Sequence, residues 1–170
     1  MRQKITDKSG RMYRTGIGFD VHALSTDRPL IIGGVNIPYS KGLLGHSDAD
    51  VLVHAVMDAI LGALALGDIG QHFPDTDSKY QGADSLELLS HVQLLAAEKG
   101  FVCANLDSII MAEKPKMGPH LLEMRTNLAA VLKLKLDQVS IKATTTERLG
   151  LIGREEGIAA QAIVLFESTI

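Results

Sequence analysis

The chain has 170 residues, of which 46% are hydrophobic, and a formal net charge of −3. This length fits a single domain with an aliphatic core, and the slightly negative charge argues against nucleic acid as a partner. No stretch reaches the roughly 18 apolar residues of a membrane span, and the start lacks the pattern of a signal peptide. The single Cys103 excludes an internal disulfide. We therefore expect a cytoplasmic protein with no membrane partner.

The composition of the chain changes near residue 14, from polar residues to the first predicted strand. Residues 1–13 are polar and of mixed charge, so we expect a disordered extension or a cloning remnant there, followed by one domain over residues 14–170. A strand is predicted from Arg14 to Val21 and a hairpin over residues 29–37, which turns at its glycines. Residues 39–46 are predicted to form a mobile loop.

The first strand ends in a candidate metal site. Asp20 and His22 are two positions apart, so an extended strand projects both side chains from the same face. His54 lies inside a helix predicted from Asp48 to about Leu66. Two groups from a strand and one from a helix would hold Zn²⁺ and leave one tetrahedral position open, as in catalytic zinc sites.

Three polar residues in or beside this helix are also predicted to support the metal site. Ser47 and Asp50 have the spacing of a capping box, which would start the helix. Asp50 and Asp58, each four residues from His54, would orient its second ring nitrogen, although Asp50 could instead be a metal ligand. Read singly, an Asp-x-His pair is most often a polar strand end and a histidine on an apolar helix is more often a core residue. The prediction therefore rests on the three side chains together.

The remaining elements predict a sheet with helices on one side. Residues 67–85 are typical of a solvated loop, and residues 150–154 are predicted to form another. The predicted helices run from Ser85 to Gly100 and onward from Pro119, and the predicted strands span residues 101–112, 139–143 and 158–166. The last strand is apolar almost without alternation, which indicates cover on both faces. Three helices cover only one face of a sheet. The fold class is therefore α/β (α+β), a single-domain sheet with helices on one face and further subunits on the other.

Six segments, taken in order, resemble a known family. They are Gly-Phe-Asp-Val-His (18–22), His-Ser-Asp-x-Asp (46–50), Gly-Asp-Ile-Gly (67–70), Phe-Pro-Asp-Thr-Asp (73–77), Pro-Lys-Met (115–117) and Lys-Ala-Thr-Thr-Thr-Glu (142–147). From about Arg14 onward the chain closely resembles the 2-C-methyl-D-erythritol 2,4-cyclodiphosphate synthases of the non-mevalonate isoprenoid pathway. The resemblance implies a homotrimer with active sites between subunits. The implied lyase reaction converts 4-diphosphocytidyl-2-C-methyl-D-erythritol 2-phosphate into the cyclic diphosphate and CMP.

The resemblance also implies two metal ions. Asp20, His22 and His54 match the family's ligands to Zn²⁺, with Mn²⁺ or Mg²⁺ as alternatives in its place. Glu147 matches the residue that holds a second ion, Mg²⁺ or Mn²⁺, between the phosphates of the substrate.

Further matches concern catalysis and substrate binding. His46 and Thr145 match residues that stabilise the phosphates in the transition state. The implied substrate-binding residues are Ser47 at a helix N-terminus; Asp68, Ile69, Gly70, Phe73, Pro74, Asp75, Thr76 and Asp77 for ribose and methylerythritol; Ala112, Lys114, Pro115, Lys116, Met117 and Gly118 for cytidine; and Thr144, Thr146 and Arg154 for phosphates, with Leu151 beside them. Two of these positions depart from the family pattern. Gly118 replaces a bulkier apolar residue and Leu151 replaces a common phenylalanine.

Two other functions fit the same residues. A zinc-dependent phosphohydrolase would use metal-bound hydroxide on a nucleotide and release an acyclic product. A non-enzymatic trimeric binding protein would use the metal structurally and would close its fourth position with a protein ligand. In the cyclisation the nucleophile is the substrate's own 2-phosphate, so no activated serine or cysteine is required. We accordingly predict that Cys103 takes no part in catalysis.

Overall fold

The computed structural model describes residues 10–169, and its main feature is one mixed sheet. The strands are β1 (Tyr13–Ser25), β2 (Leu30–Ile32), β3 (Val35–Ile37), β4 (Gly42–Leu43), β5 (Phe101–Met111), β6 (Val139–Thr144) and β7 (Gly157–Ser168). The helices are α1 (Val51–Ala63), α2 (Ile69–His72), α3 (Ser85–Glu98), α4 (Leu121–Leu132) and α5 (Gly150–Gly153), with 3-10 turns at Ser78–Tyr80, Gly118–His120 and Leu136–Gln138. Five strands form the sheet in the order β4-β1-β7-β5-β6, while β2 and β3 pair as a separate hairpin. The predicted α+β class is confirmed.

The sheet is antiparallel except at one edge, where β5 and β6 run parallel. Helix α1 packs across β1 and β7 at its centre. Eleven of the thirteen residues of α1 are buried, so the helix is enclosed on nearly every side. No helix among the described residues has both the length and the apolar character to cross a membrane.

Two glycines allow α1 to lie unusually close to β1. A Cβ atom at Gly16 would fall 1.8 Å from the carbonyl oxygen of Ala59, and one at Gly18 would fall 1.9 Å from that of Ala55. Any larger residue at either position would collide with helix backbone. The even-numbered side chains of β1 point toward α1, so this close approach determines which groups of the helix they meet.

The opposite face of the sheet is uncovered in a single chain and is largely apolar. Ile17, Phe19 and Ile163 are 60%, 57% and 50% exposed, and Ile17 lies directly opposite Ile163 in the β1–β7 ladder. Nearer the β6 edge, Lys142 and Asp107 form an ion pair on neighbouring strands. Exposed aliphatic and aromatic side chains grouped in this way are typical of a surface that binds another protein.

The start of the domain differs from the prediction. β1 begins at Tyr13 instead of Arg14, and the backbone of Met12 exchanges hydrogen bonds with Ser168 at the end of β7. Tyr13 therefore belongs to the sheet and Met12 is bound to the end of β7, so the expected extension does not include these two residues. The part of that prediction over residues 1–9 lies outside the described part of the chain.

The boundaries of α1 also differ from the prediction. The helix begins at Val51, and the Asp50 side chain caps it by accepting from the Val53 backbone N–H. Ser47 is not its cap, because the Ser47 hydroxyl instead accepts from the backbone N–H of Ala49. The helix ends at Ala63, three residues earlier than predicted, because a left-handed turn at position 65 redirects the chain.

Three segments predicted as loops contain short elements. Residues 39–46 include β4, which pairs with the end of β1, and residues 67–85 include α2 and a 3-10 turn. Residues 150–154 include α5. In α3 the cap is Asp84, which accepts from the Leu86 backbone N–H, and Ser85 is already the first helical residue. The predicted hairpin of β2 and β3 is confirmed and turns at Gly33 and Gly34.

Candidate metal centre and active site

Three side chains from β1 and α1 meet at one point. Asp20 Oδ2 lies 2.9 Å from Nε2 of His22 and 3.0 Å from Nδ1 of His54, and the two ring nitrogens are 3.1 Å apart. Asp20 and His22 are half-buried neighbours on the same face of β1, as their alternation predicts, and His54 is buried. Among the described residues this is the one cluster of three or more His, Cys, Asp or Glu side chains with metal-ligand geometry.

The hydrogen bonds behind the two rings fix which nitrogen faces the cluster. Nδ1 of His22 lies 2.7 Å from the Leu44 carbonyl oxygen, which can only accept, so Nδ1 carries the proton and Nε2 presents a lone pair. Behind the His54 ring, Nε2 lies 3.1 Å from Ser47 Oγ and 3.0 Å from Ser85 Oγ. The Ser85 hydroxyl donates to Asp48, so it accepts from Nε2 of His54 and leaves a lone pair on Nδ1.

The electrostatics of the cluster favour a positive charge at its centre. Burial opposes ionisation of Asp20, but His22 and His54 donate to this carboxylate and attract it when their rings carry a second proton, and these effects together hold the pKa of the carboxyl well below its ordinary value. Burial likewise opposes charge on His22, yet the hydrogen bond to Asp20 raises the pKa of this imidazole. One carboxylate and two imidazole lone pairs form a donor set of the kind that binds Zn²⁺. The residues present therefore fit a divalent metal ion.

The predicted roles of Asp50 and Asp58 beside His54 are wrong. The Asp50 carboxylate accepts from the backbone N–H groups of Gly34 at 2.7 Å and Val53 at 3.1 Å and is not among the three clustered side chains, so it is neither a ligand nor a partner of the imidazole. Asp58 accepts from the backbone N–H of Ile69 and so positions the start of α2. Both carboxylates accept hydrogen bonds from backbone N–H groups. Ser47 and Ser85 instead occupy the position beside Nε2 of His54 that was predicted for Asp50 and Asp58.

A cavity of about 170 Å³ opens beside the cluster and gathers one part of the predicted site. Its lining includes the three candidate ligands and six other predicted residues. These six are His46, Ser47, Ile69, Gly70, Phe73 and Asp75. The ring of Phe73 packs edge-on against Tyr80 at 5.3 Å, which holds the loop after α2 over the cavity. His46 lies within reach of the Asp77 carbonyl oxygen, at 3.3 Å from Nε2.

A second cavity, of about 290 Å³, gathers another part of the predicted site. It is lined by residues between β5 and α4 and by the end of β6. The predicted residues among them are Ala112, Pro115, Lys116, Met117, Gly118, Thr144 and Thr145. None of residues 10–169 lines both cavities, so this part of one chain does not bring the two parts of the predicted site into a single pocket.

Several predicted residues lie in neither cavity. Lys114 forms an ion pair with Glu155 at 3.0 Å, and Arg154 forms one with Glu156 at 2.7 Å. Glu147 is exposed and accepts a hydrogen bond from Thr145 at 2.8 Å. The remaining residues of this group are Asp68, Pro74, Thr76, Asp77, Thr146 and Leu151. Asp68 caps α2 through Gln71, and Leu151 is 44% exposed.

Two residues that hold the site together were missed at the level of sequence. Arg28 donates to the carbonyl oxygens of Gly45 and Ser47, on either side of His46. Glu113 accepts from the backbone N–H groups of Thr146 at 2.9 Å and Arg148 at 3.1 Å. No local pattern identifies these roles, because each depends on a partner that is distant along the chain.

Comparison with known proteins gives consistent results. Residues 13–167 match the protein-family model described as the YgbB family. A curated protein of Desulfitobacterium hafniense, named 2-C-methyl-D-erythritol 2,4-cyclodiphosphate synthase, is 61% identical over 153 residues, which are 90% of this chain and 97% of that protein.

Solved structures agree. The bifunctional IspDF of Campylobacter jejuni superposes with a TM-score of 0.89 at 46% identity, over 93% of this chain and 43% of that one. The CDP complex of IspF from Plasmodium falciparum superposes with a TM-score of 0.82 at 33% identity, over 93% of this chain and 97% of that one.

Proposed function

The chain belongs to the YgbB family, and we propose that it converts 4-diphosphocytidyl-2-C-methyl-D-erythritol 2-phosphate into 2-C-methyl-D-erythritol 2,4-cyclodiphosphate and CMP. This activity is the one that its curated relatives are named for, and we place it in isoprenoid biosynthesis. The observation that carries the proposal is the cluster of Asp20, His22 and His54 beside a cavity lined by residues that match the family's substrate contacts. The proposed setting is the cytoplasm, with no nucleic acid or membrane as a partner.

We assign Zn²⁺ to the cluster, with Mn²⁺ or Mg²⁺ as alternatives. Asp20 Oδ2, His22 Nε2 and His54 Nδ1 would hold it, because these atoms face one another and the other ring nitrogens are engaged behind them. A bound divalent ion would neutralise phosphate charge and polarise the phosphorus–oxygen bonds. We assign a second ion, Mg²⁺ or Mn²⁺, to Glu147, because its exposed carboxylate could bind a cation that also binds the phosphates of the substrate.

The complete active site is proposed to form between subunits of a homotrimer. Each cavity of the single chain, at about 170 and 290 Å³, is smaller than the roughly 300–1,000 Å³ of pockets that enclose a whole ligand. The uncovered face of the sheet is apolar at Ile17, Phe19 and Ile163 and offers a surface for association. Joining the metal cavity of one copy to the second cavity of its neighbour would place cytidine and phosphate sites within one pocket.

In the proposed reaction an oxygen of the 2-phosphate attacks the β phosphorus, and the bond from that phosphorus to the bridging oxygen breaks, so CMP leaves with the electron pair. The chain's task is to bring two repelling phosphates together. His46 and Thr145 are proposed to donate hydrogen bonds to phosphate oxygens, and the loop from Phe73 to Asp77 to hold the methylerythritol. Residues 112–118 are proposed to bind cytidine. Such positioning contributes up to roughly 7–11 kcal/mol to lowering a barrier.

Incubation of the zinc-loaded protein with the diphosphocytidyl substrate tests this proposal directly. We expect CMP to be released together with a product whose phosphorus NMR spectrum is that of a cyclic diphosphate, and we expect His54→Ala to abolish both signals. The control is Leu122→Ala, a change on the exposed side of α4 away from both cavities, which should turn over normally.

Two results would contradict the proposal. CMP together with a linear product would indicate a phosphohydrolase that uses metal-bound hydroxide. No turnover by folded, metal-loaded protein would indicate a binding protein with a structural metal.

A further inference from the structure

A chain of hydrogen bonds leads away from the metal cluster into the protein. Behind the ring of His54, Nε2 lies 3.0 Å from the hydroxyl of Ser85, which is fully buried. That hydroxyl lies 2.5 Å from Oδ1 of Asp48, and the other carboxylate oxygen of Asp48 accepts from the Ser85 backbone N–H at 3.0 Å. Asp48 is thus bound to Ser85 at two points, and Ser85 connects it to His54.

The direction of these bonds is set by chemistry. A carboxylate only accepts, so the single hydrogen of the Ser85 hydroxyl goes to Asp48. The Ser85 oxygen can then only accept from the ring, which requires the proton of a neutral His54 to be on Nε2. Nδ1 is left with a lone pair directed at Asp20 and His22.

Without this connection the opposite tautomer would be favoured. The Ser47 hydroxyl lies 3.1 Å from the same Nε2 and can donate to it as well as accept from it. If the Ser47 hydroxyl donated to Nε2, the ring proton would be on Nδ1, and Nδ1 would donate a hydrogen bond to Asp20 Oδ2, 3.0 Å away. A protonated Nδ1 cannot bind a metal ion, so the site would need to lose this proton first.

We propose that Asp48 and Ser85 are positioning residues that hold His54 in its Nε2–H tautomer and so prepare Nδ1 as a metal ligand. The inference rests on the metal centre of the proposed function. Neither residue touches the metal or the substrate in this account. Both act through the imidazole, as partners of ligand histidines do in metal sites generally.

The test uses two variants and a control at the same helix start. Ser85→Ala removes the hydroxyl and Asp48→Asn removes the charge that orients it. Asp84→Asn removes the same charge at the start of α3 but keeps a capping side chain and leaves the bonds to His54 intact, so it reports the effect of the lost charge alone. The measurements are the imidazole ¹⁵N spectrum of the metal-free proteins at pH 8 and zinc affinity by competition with a chelator.

We expect the wild type and Asp84→Asn to give the Nε2–H pattern for His54 and equal zinc affinities. We expect Ser85→Ala and Asp48→Asn to gain the Nδ1–H pattern and to bind zinc about 10- to 100-fold more weakly. An Nε2–H pattern in Ser85→Ala would overturn the inference whatever its zinc affinity, and so would an equal loss of zinc affinity in Asp84→Asn.

These outcomes separate the inference from the proposed function. If the wild type binds no zinc, the proposed metal centre fails, while the ¹⁵N spectra still decide which tautomer Ser85 imposes. If the wild type binds zinc and the spectra of Ser85→Ala are unchanged, only the positioning role fails.

Discussion

Gly18 lies directly against the backbone of Ala55, so that a Cβ atom at position 18 would fall 1.9 Å from the Ala55 carbonyl oxygen. This contact brings α1 onto β1, and with it His54 to within 3.0 Å of Asp20. The geometry of the metal cluster therefore depends on a residue without a side chain. Gly18 belongs to the Gly-Phe-Asp-Val-His segment, and its physical role is to set the short distance between β1 and α1.

Replacing this glycine should damage both stability and the cluster. We expect Gly18→Ala to lower the free energy of unfolding by about 3 kcal/mol, because helix backbone cannot move aside as a flexible side chain can. Urea denaturation measures the loss. The matched control is Gly62→Ala in α1, where a Cβ would be 3.8 Å from its nearest neighbour and alanine favours the helix by up to about 1 kcal/mol. A Gly18→Ala protein as stable as wild type would show that β1 and α1 are not packed this closely.

The open face of the sheet is predicted to carry the trimer contact. We expect Phe19→Asp to sediment as a monomer at micromolar concentration and to lose turnover, because a carboxylate would replace a ring that is 57% exposed in one chain and would be covered in the proposed trimer. Leu122→Asp places the same charge at a position that is 62% exposed on α4, outside that face, and should remain trimeric. Sedimentation velocity distinguishes the two. A wild-type chain that sediments as a monomer would contradict the proposed assembly.

The metal-free protein should become less stable as the pH rises through the pKa of His22. Burial lowers this pKa, but the hydrogen bond and charge of Asp20, the Leu44 carbonyl and the charge of Asp50 together outweigh burial and raise the pKa above 6.5, so the folded state binds the proton more tightly than the unfolded state does. The resulting stability is fully present below pH 6.5 and is lost as the pH rises through the higher, folded-state pKa.

Zinc-loaded protein should behave in the opposite way, because metal replaces the proton and binds more tightly at higher pH. Thermal midpoints between about pH 6 and pH 8.5 measure both trends. His22→Gln should remove the decline of the metal-free protein, whereas His91→Gln, at an exposed position on α3, should keep it. A metal-free wild type whose stability rises with pH over this range would show that the imidazole is not held by Asp20.

Cys103 should be chemically inert in the folded protein. Burial raises the pKa of this thiol to about 12, so almost no thiolate is present at neutral pH. We expect iodoacetamide at pH 8 to label it only after unfolding, and Cys103→Ala to keep kcat/KM near the wild-type value. Mass spectrometry and a steady-state assay check the two statements. Near-total loss of activity in Cys103→Ala would mean that the mechanism omits a nucleophile.

The sequence predicts most of the elements and the metal cluster for a simple reason. The period of two in β1 places Asp20 and His22 on one face, and an apolar helix that contains His54 has to pack against that face. Both signals are local. The predicted start of α1 is wrong because the Ser47 hydroxyl accepts from the backbone N–H of Ala49, and Asp50 caps the helix in its place.

The supporting groups of the site were not predictable in the same way. Asp50 binds the backbone of Gly34, and Ser85 reaches His54 from the start of another helix 31 positions away. Glu113 accepts a hydrogen bond from the backbone N–H of Thr146, which is 33 positions away along the chain. Each of these contacts exists only after the helices have packed, so no spacing along the chain indicates it. The proposed pairing of the two cavities requires a second copy of the chain, so neither a local sequence pattern nor the structure of one chain could reveal it.

The most direct test of the central claim is anomalous diffraction at the zinc absorption edge from crystals grown with Zn²⁺. The account predicts one peak per subunit, about 2.0–2.2 Å from Asp20 Oδ2, His22 Nε2 and His54 Nδ1, with its fourth position filled by water or substrate and not by the protein. A peak elsewhere, or a fourth ligand supplied by the protein, would contradict it.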